Sequence, residues 1–113
     1  MKEIKAIVQP FQLSAVVEAL QQIPDLPSLT VFDVRGFGRQ RTRDARDSIE
    51  DEGTLYAKKV QIEIVVPDRL VEEVIRTIRE SAHTGNPGDG KIFVGSLDEG
   101  IRIRSGERGE DAL

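Results

Sequence analysis

Lys59-Val60-Gln61-Ile62-Glu63-Ile64-Val65-Val66-Pro67-Asp68 is the segment from which the rest of the chain can be read. Val60, Ile62 and Ile64 alternate with Gln61 and Glu63, the period of a strand with one face on a core and one toward water. Pro67-Asp68 then breaks the strand and opens a helix, with Asp68 placed to cap it. Glu72 and Glu73 suit the positive end of that helix dipole, and Glu72 and Arg76 sit at the supportive i, i+4 spacing. Val71, Val74, Ile75 and Ile78 form its apolar stripe. Downstream, a glycine-rich turn at residues 84–90 leads into a short strand, Ile92-Phe93-Val94. Upstream, residues 30–35 are β-rich and run into Gly36-Phe37-Gly38. Leu13, Val16, Val17 and Leu20 follow helical spacing, with Ser14 as N-cap and Pro24 and Pro27 closing the segment. Residues 3–8 read as a strand ended by Pro10, with Ile4, Ala6 and Val8 on one face. Ile101-Arg102-Ile103-Arg104 is a further alternating piece, and Glu110-Asp111 lies in an acidic, frayed tail.

The order is β-α-β followed by β-α-β, the ferredoxin-like βαββαβ unit of the α+β class, in which two helices cover one face of an antiparallel sheet. The 113 residues make one domain, 1–113. The second sheet face is left either to solvent or to other subunits, and Ile7, Phe32, Val34 and Val65 lend the strands apolar character on both sides. Lys and Arg number 16 against 20 Asp and Glu, a net charge of −4, which disfavours an overall basic nucleic-acid binder. The chain has no cysteine and one histidine, so it offers no disulfide, no thiol nucleophile and no Cys or His cluster for zinc. No apolar run reaches the ~18–20 residues of a membrane span, and Met1 to Lys5 lacks a signal-peptide core. The expectation is a cytoplasmic protein with no membrane insertion.

One connection is far longer than the ~4–6 residues usual in a compact domain. Residues 41–57 show no helical or strand period and carry Arg41, Arg43, Asp44, Arg46, Asp47, Glu50, Asp51 and Glu52. Mixed charge at this length predicts a solvated, flexible loop with a function of its own.

Three pieces carry chemistry. In Thr84-Gly85-Asn86-Pro87-Gly88-Asp89-Gly90-Lys91, glycines let backbone N–H groups approach an anion, and the lysine adds a charge suited to phosphate. The spacing copies a G-x-x-x-x-G-K loop, but Ile92 stands where a Mg²⁺-binding hydroxyl is required and a strand follows, which argues against a Walker-type NTPase. Gly36-Phe37-Gly38-Arg39-Gln40 ends a strand. Arg102 and Arg104, read as i and i+2 of a strand, place two guanidiniums side by side. Taken singly these are a plain turn, a strand exit and a solvated edge; taken together they favour a phosphate ligand. His83 has no Ser or Cys partner and reads as a helix-end residue. A small hydrolase would have only Asp89, Glu63 or His83 to use, without a supporting constellation, so the chain is not read as an enzyme. A base-stacking nucleic-acid module is disfavoured by 4 % aromatics.

On these residues the chain resembles the nitrogen-regulatory PII signal-transduction family over nearly its whole length. The segments that carry the resemblance are Ile7 to Phe11, Gly36 to Gln40, Lys59 to Val66, Thr84 to Val94 and Ile101 to Gly106. The resemblance implies a homotrimer whose uncovered sheet faces line the centre, with ATP or ADP bound as effector in clefts between subunits. It assigns phosphate contacts to Gly88, Asp89, Gly90 and Lys91 in the turn 84–91, called the B-loop. It assigns Gly38, Arg39 and Gln40 to the base of the long T-loop, 41–57. Arg102 and Arg104 of the C-terminal loop, 101–109, come from the adjacent subunit, with Thr30 near the base and Ile7 and Val65 flanking the adenine. It further implies Mg²⁺ and 2-oxoglutarate, with Gln40 holding the metal and Lys59 facing the acid.

The T-loop departs from the family pattern. Counting from Arg39, or back from Lys59, needs no gap and puts Glu52 where uridylylated members carry tyrosine, so modification at that position is ruled out. Ser48 is read as a candidate phosphorylation site, and Tyr56, the one tyrosine of the chain, lies near the loop's return to the sheet. The implied function is a nitrogen-type regulator of a membrane transporter or an enzyme through this loop. The alternative is an adenylate-only sensor for another transporter, such as one for inorganic carbon, with weak nucleotide hydrolysis a more distant one.

Overall fold

The computed structural model describes residues 1–38 and 48–113. Its elements are β1 (Lys2–Val8), α1 (Leu13–Leu20), β2 (Leu29–Gly36), β3 (Ser48–Asp51), β4 (Thr54–Val66), α2 (Val71–Ala82) and β5 (Gly90–Ser96). Set β3 aside and the order is βαββαβ. The sheet runs β2-β4-β1-β5, each pair antiparallel. This is the ferredoxin-like α+β fold.

The core follows from the alternation. Ile4, Ala6 and Val8 of β1 and Val60, Ile62, Ile64 and Val66 of β4 are buried, and they meet Val16 and Leu20 of α1 and Val74, Ile78 and Ala82 of α2. Each fully buried Val, Leu or Ile contributes roughly 1.5–3 kcal/mol relative to exposure. The register sets the other face. Ile7 lies opposite Gln61 and Lys91, Lys5 opposite Glu63 and Phe93, Phe32 opposite Gln61, Val34 opposite Lys59, and Val65 opposite Glu3. That face is a mixed surface: Phe32 and Phe93 are 42 % and 53 % exposed, while Lys5 pairs with Glu63 at 3.7 Å and Gln61 donates to Glu63 at 3.0 Å.

Several local expectations are corrected. Pro10 does not merely stop β1. It opens a 3-10 turn, Pro10–Gln12, that leads directly into α1, because proline at a first helical position fixes φ and forgoes an N–H with no partner anyway. Helical winding therefore starts before Ser14, and Gln12 occupies the cap without a side-chain bond. Asp68 does not cap α2: a 3-10 turn, Asp68–Leu70, follows Pro67, Leu70 takes the α2 cap without a side-chain bond, and the Asp68 carboxylate accepts from the Met1 amino group at 2.6 Å.

The long connection is not aperiodic throughout. Ser48–Asp51 pairs with Thr54–Ala57, and β4 is thereby 13 residues long. Glu52 and Gly53 form the tip with φ of +49° and +80°, the two positive values of a tight hairpin turn. Both faces of this hairpin are largely solvated, so no apolar alternation announced it. Residues 41–47, the rest of the expected loop, lie outside the described residues, as do Arg39 and Gln40 at its base. Ile101-Arg102-Ile103-Arg104 is not a strand either. Ile101 bridges to Arg108, and the chain turns back between them through Gly106 at φ +76°.

Candidate functional site

The glycine turn between α2 and β5 is built around one carboxylate. Asp89 Oδ2 accepts from the Thr84 amide at 2.8 Å and the Gly85 amide at 3.0 Å, and its Oδ1 accepts from the Thr84 hydroxyl. The Thr84 oxygen in turn accepts from the Asn86 amide at 3.2 Å. These bonds, the Thr84 hydroxyl first, hold the Asp89 carboxyl below its ordinary value. Asp89 is thus a staple of the turn, and a carboxylate so stabilised is a poor proton acceptor.

The turn is tied to the sheet at two points. Lys59 Nζ donates to the Gly88 carbonyl at 2.8 Å. Gly90, at φ +113°, crosses β1 so closely that a Cβ there would lie 1.7 Å from the Ile7 oxygen. Only glycine fits this close crossing of β1. Lys91 follows, exposed, directly opposite Ile7 in the register. The result is a concave run of backbone beside a lysine and an apolar side chain, an arrangement suited to phosphate with an attached ring. Ile7, Asp89, Gly90 and Lys91 also border the groove between α2 and β5, of about 820 Å³, together with Arg79 and His83. His83 is exposed just beyond α2, at the helix end.

The second group lies at the other end of the sheet. Thr30, Glu63 and Val65 line a cavity of about 250 Å³ whose remaining wall includes Ala112 and Leu113. Arg102 Nη2 donates to the Leu113 backbone oxygen at 2.8 Å, and its Nη1 stands 3.5 Å from Glu107. Arg104 is exposed on the turn, and Ile103 next to it is fully exposed. Ile7 and the residue paired with Val65, Glu3, are four positions apart on β1, roughly 14 Å of strand. One chain therefore does not unite the turn with the Thr30, Val65 and Arg102 group. The arginines do not line up as i and i+2 on a strand, because the chain reverses at Arg102 to Ser105.

Gly38 lies just past β2, with open space where a Cβ would stand. Arg39 and Gln40 lie outside the described residues, so the expected metal and 2-oxoglutarate contacts at Gln40 do too. Among the described residues no group of three or more His, Cys, Asp or Glu could hold a metal ion. No helix among them is long and apolar enough to cross a membrane. Sequence reasoning missed the Asp89 staple, the Lys59 bond to Gly88, and the position of Ala112 and Leu113 beside Thr30. The Thr84 to Asp89 spacing was the one available signal, since a threonine and an aspartate flanking three glycine or proline positions can close a turn on each other.

Comparison with known proteins finds matches over nearly the whole chain. A family model described as nitrogen regulatory protein P-II matches residues 1–107. The nitrogen regulatory protein P-II of Rhodospirillum rubrum is 47 % identical over 113 residues, covering 100 % of both chains. That of Bradyrhizobium diazoefficiens is 48 % identical, also over the full length of both. The crystal structure of Arabidopsis thaliana PII bound to citrate is similar with a TM-score of 0.81 and 44 % identity, covering 99 % of this chain and 91 % of that one. Fold, turn and full-length similarity lead to one conclusion: the chain belongs to the nitrogen regulatory protein P-II family of signal-transduction regulators.

Proposed function

We propose that this protein is a cytoplasmic homotrimeric regulator that binds ATP or ADP between neighbouring subunits. The glycine turn of one copy, Gly88 to Lys91 with Ile7, faces Thr30, Val65, Arg102 and Arg104 of the next. The observation that carries this reading is the Thr84–Lys91 turn, a glycine-rich loop laid against the β1 backbone at Gly90 and fixed in shape by the Asp89 carboxylate. The separation of the two residue groups along the sheet supports a site shared between copies. The uncovered face, with Phe32, Phe93, Ile7 and Val65, supplies apolar surface for the assembly. Asp89 accepts the Thr84 and Gly85 amides itself and so fixes the shape of the turn, which fits a binding role over hydrolysis.

Mg²⁺ and 2-oxoglutarate join the nucleotide through Gln40 and Lys59. The nucleotide state sets the position of the segment up to Ala57, and that segment engages a transporter or an enzyme. Only a ligand with different affinity for two loop states can shift them. The hairpin tip exposes Glu50, Asp51 and Glu52 with no tyrosine at the usual position, which favours a partner different from that of the uridylylated members. Calorimetry with ATP, ADP and AMP, with and without Mg²⁺ and 2-oxoglutarate, alongside native mass measurement, tests the reading. A trimer binding one nucleotide per chain is expected. A monomer, or no heat at millimolar nucleotide, would overturn it.

A further inference from the structure

We infer that residues 109–113 are a built-in competitor of the nucleotide, a proposal that rests on the reading above. Three observations converge on this segment. First, it occupies the wall of the candidate base pocket: Ala112 and Leu113 stand with Thr30, Glu63 and Val65 around a cavity of about 250 Å³. The segment thus stands against the same Thr30 and Val65 side chains that the reading assigns to the nucleotide.

Second, the segment engages the arginine assigned to phosphate. Arg102 Nη2 donates to the Leu113 backbone oxygen at 2.8 Å, and Nη1 faces Glu107 at 3.5 Å. Both are oxygen acceptors of the kind a phosphate would present to the same guanidinium. Glu110 and Asp111, exposed in the same segment, add charge of the phosphate's sign.

Third, the segment has its own local fold and so has a defined position to compete from. Gly109–Ala112 is a 3-10 turn, the Gly109 amide donates to the Gly100 carbonyl at 2.9 Å, and the Leu113 amide donates to Glu110 at 3.1 Å. Ala112 also shares with Met1 the space around Gly100.

A nucleotide entering this half of the site must displace Leu113 from Arg102. Its apparent affinity is then the intrinsic affinity reduced by the fraction of chains with the segment open. The test is ATP titration of the full chain, of a variant ending at Arg108, and of Leu113→Ala in the full-length chain. Removing 109–113 should tighten ATP binding about tenfold, the gain for a segment closed about nine-tenths of the time. Leu113→Ala should move affinity the same way by a smaller factor, and it retains the backbone if the shortened chain folds poorly. In the full chain, backbone amide resonances of 109–113 should shift toward random-coil values at saturating ATP. Equal or weaker binding by both variants, or resonances of 109–113 that stay structured with ATP bound, would overturn the inference while leaving the nucleotide site intact. Absence of ATP binding by all three proteins would overturn both.

Discussion

The turn at 84–91 and the segment at 101–113 are the two halves of the candidate site, and they are held in opposite ways. The turn is fixed by backbone: Asp89 accepts from two amides and a hydroxyl of its own loop, and Gly90 lies against the Ile7 carbonyl with no room for a side chain. The segment at 101–113 is fixed by an arginine reaching its own downstream chain, through Leu113 and Glu107. On the proposed reading a phosphate uses the turn as it stands, whereas at Arg102 it exchanges for contacts already made. One half is prebuilt and the other is conditional, so mutations in the first should act on folding and mutations in the second on affinity.

The largest effect tests the rigid half. Gly90→Ala places a methyl 1.7 Å from the Ile7 oxygen at a backbone φ of +113°. Neither the strand pairing nor the φ can relax independently, so the variant should lose about 3 kcal/mol or more of stability, measured by urea unfolding. Parent-like stability would mean the turn is as adaptable as the other half.

Next comes the conditional half. Arg102→Ala should weaken ATP binding by about 1.5–3 kcal/mol, roughly tenfold to 150-fold, the usual worth of a charged hydrogen bond. Its pairing with Glu107 is more than a third exposed on both sides and adds little to stability. The unfolding midpoint should therefore hardly move. A variant that unfolds early yet binds ATP normally would reverse the comparison.

The pH response should separate the halves as well. Asp89 is held below its ordinary value of 3.8 by the Thr84 hydroxyl first and then by the Thr84 and Gly85 amides. A carboxylate depressed in the folded state contributes stability that is fully present above the unfolded value and is lost as pH falls through the folded one. Protection of the 84–89 amides, measured relative to the intrinsic exchange rate at each pH, should persist from neutral pH down to the ordinary aspartate range and fall only below it. Asp89→Asn should remove this acid transition. Loss of protection already at pH 5–6 would show that another group holds the turn.

How much of this was legible in advance depends on where period and burial coincide. Val60, Ile62 and Ile64 alternate because one side of β4 is a core wall, and Val74 and Ile78 recur because one side of α2 closes it; those elements could be read directly. The β3–β4 hairpin could not, because solvent on both its faces removes the alternation and leaves Glu52-Gly53 as the only mark. Ile101 to Arg104 misled in the other direction. Its period of two is real, but Gly106 and Gly109 at positive φ fold the chain back before a strand can form. Within the site, the glycines of the turn were readable from their spacing alone. The Asp89 staple depended on which of several polar groups the turn encloses, and the seat of Leu113 depended on tertiary packing that leaves no local pattern.

The smallest expected effect extends the comparison to the hairpin, which is fixed by side chains as the 101–113 segment is. Arg35 of β2 reaches across β4 to Asp51 of β3 at 3.2 Å, and its guanidinium lies 5.7 Å from the centre of the Tyr56 ring. Asp51 pairs with Thr54 at the hairpin end, so this contact holds three strands to one another beyond the point where the core stops. Both charged partners are about half exposed, and an exposed ion pair with a cation–π contact is worth only about 0.5–1 kcal/mol. Arg35→Ala should leave global unfolding nearly unchanged and quicken amide exchange selectively in Ser48–Ala57. Added salt should do the same to the parent, because screening weakens an exposed pair, and should have little further effect on the variant. Exchange that is equally slow in both proteins would show that the hairpin is held by its backbone ladder alone, and would group it with the rigid half.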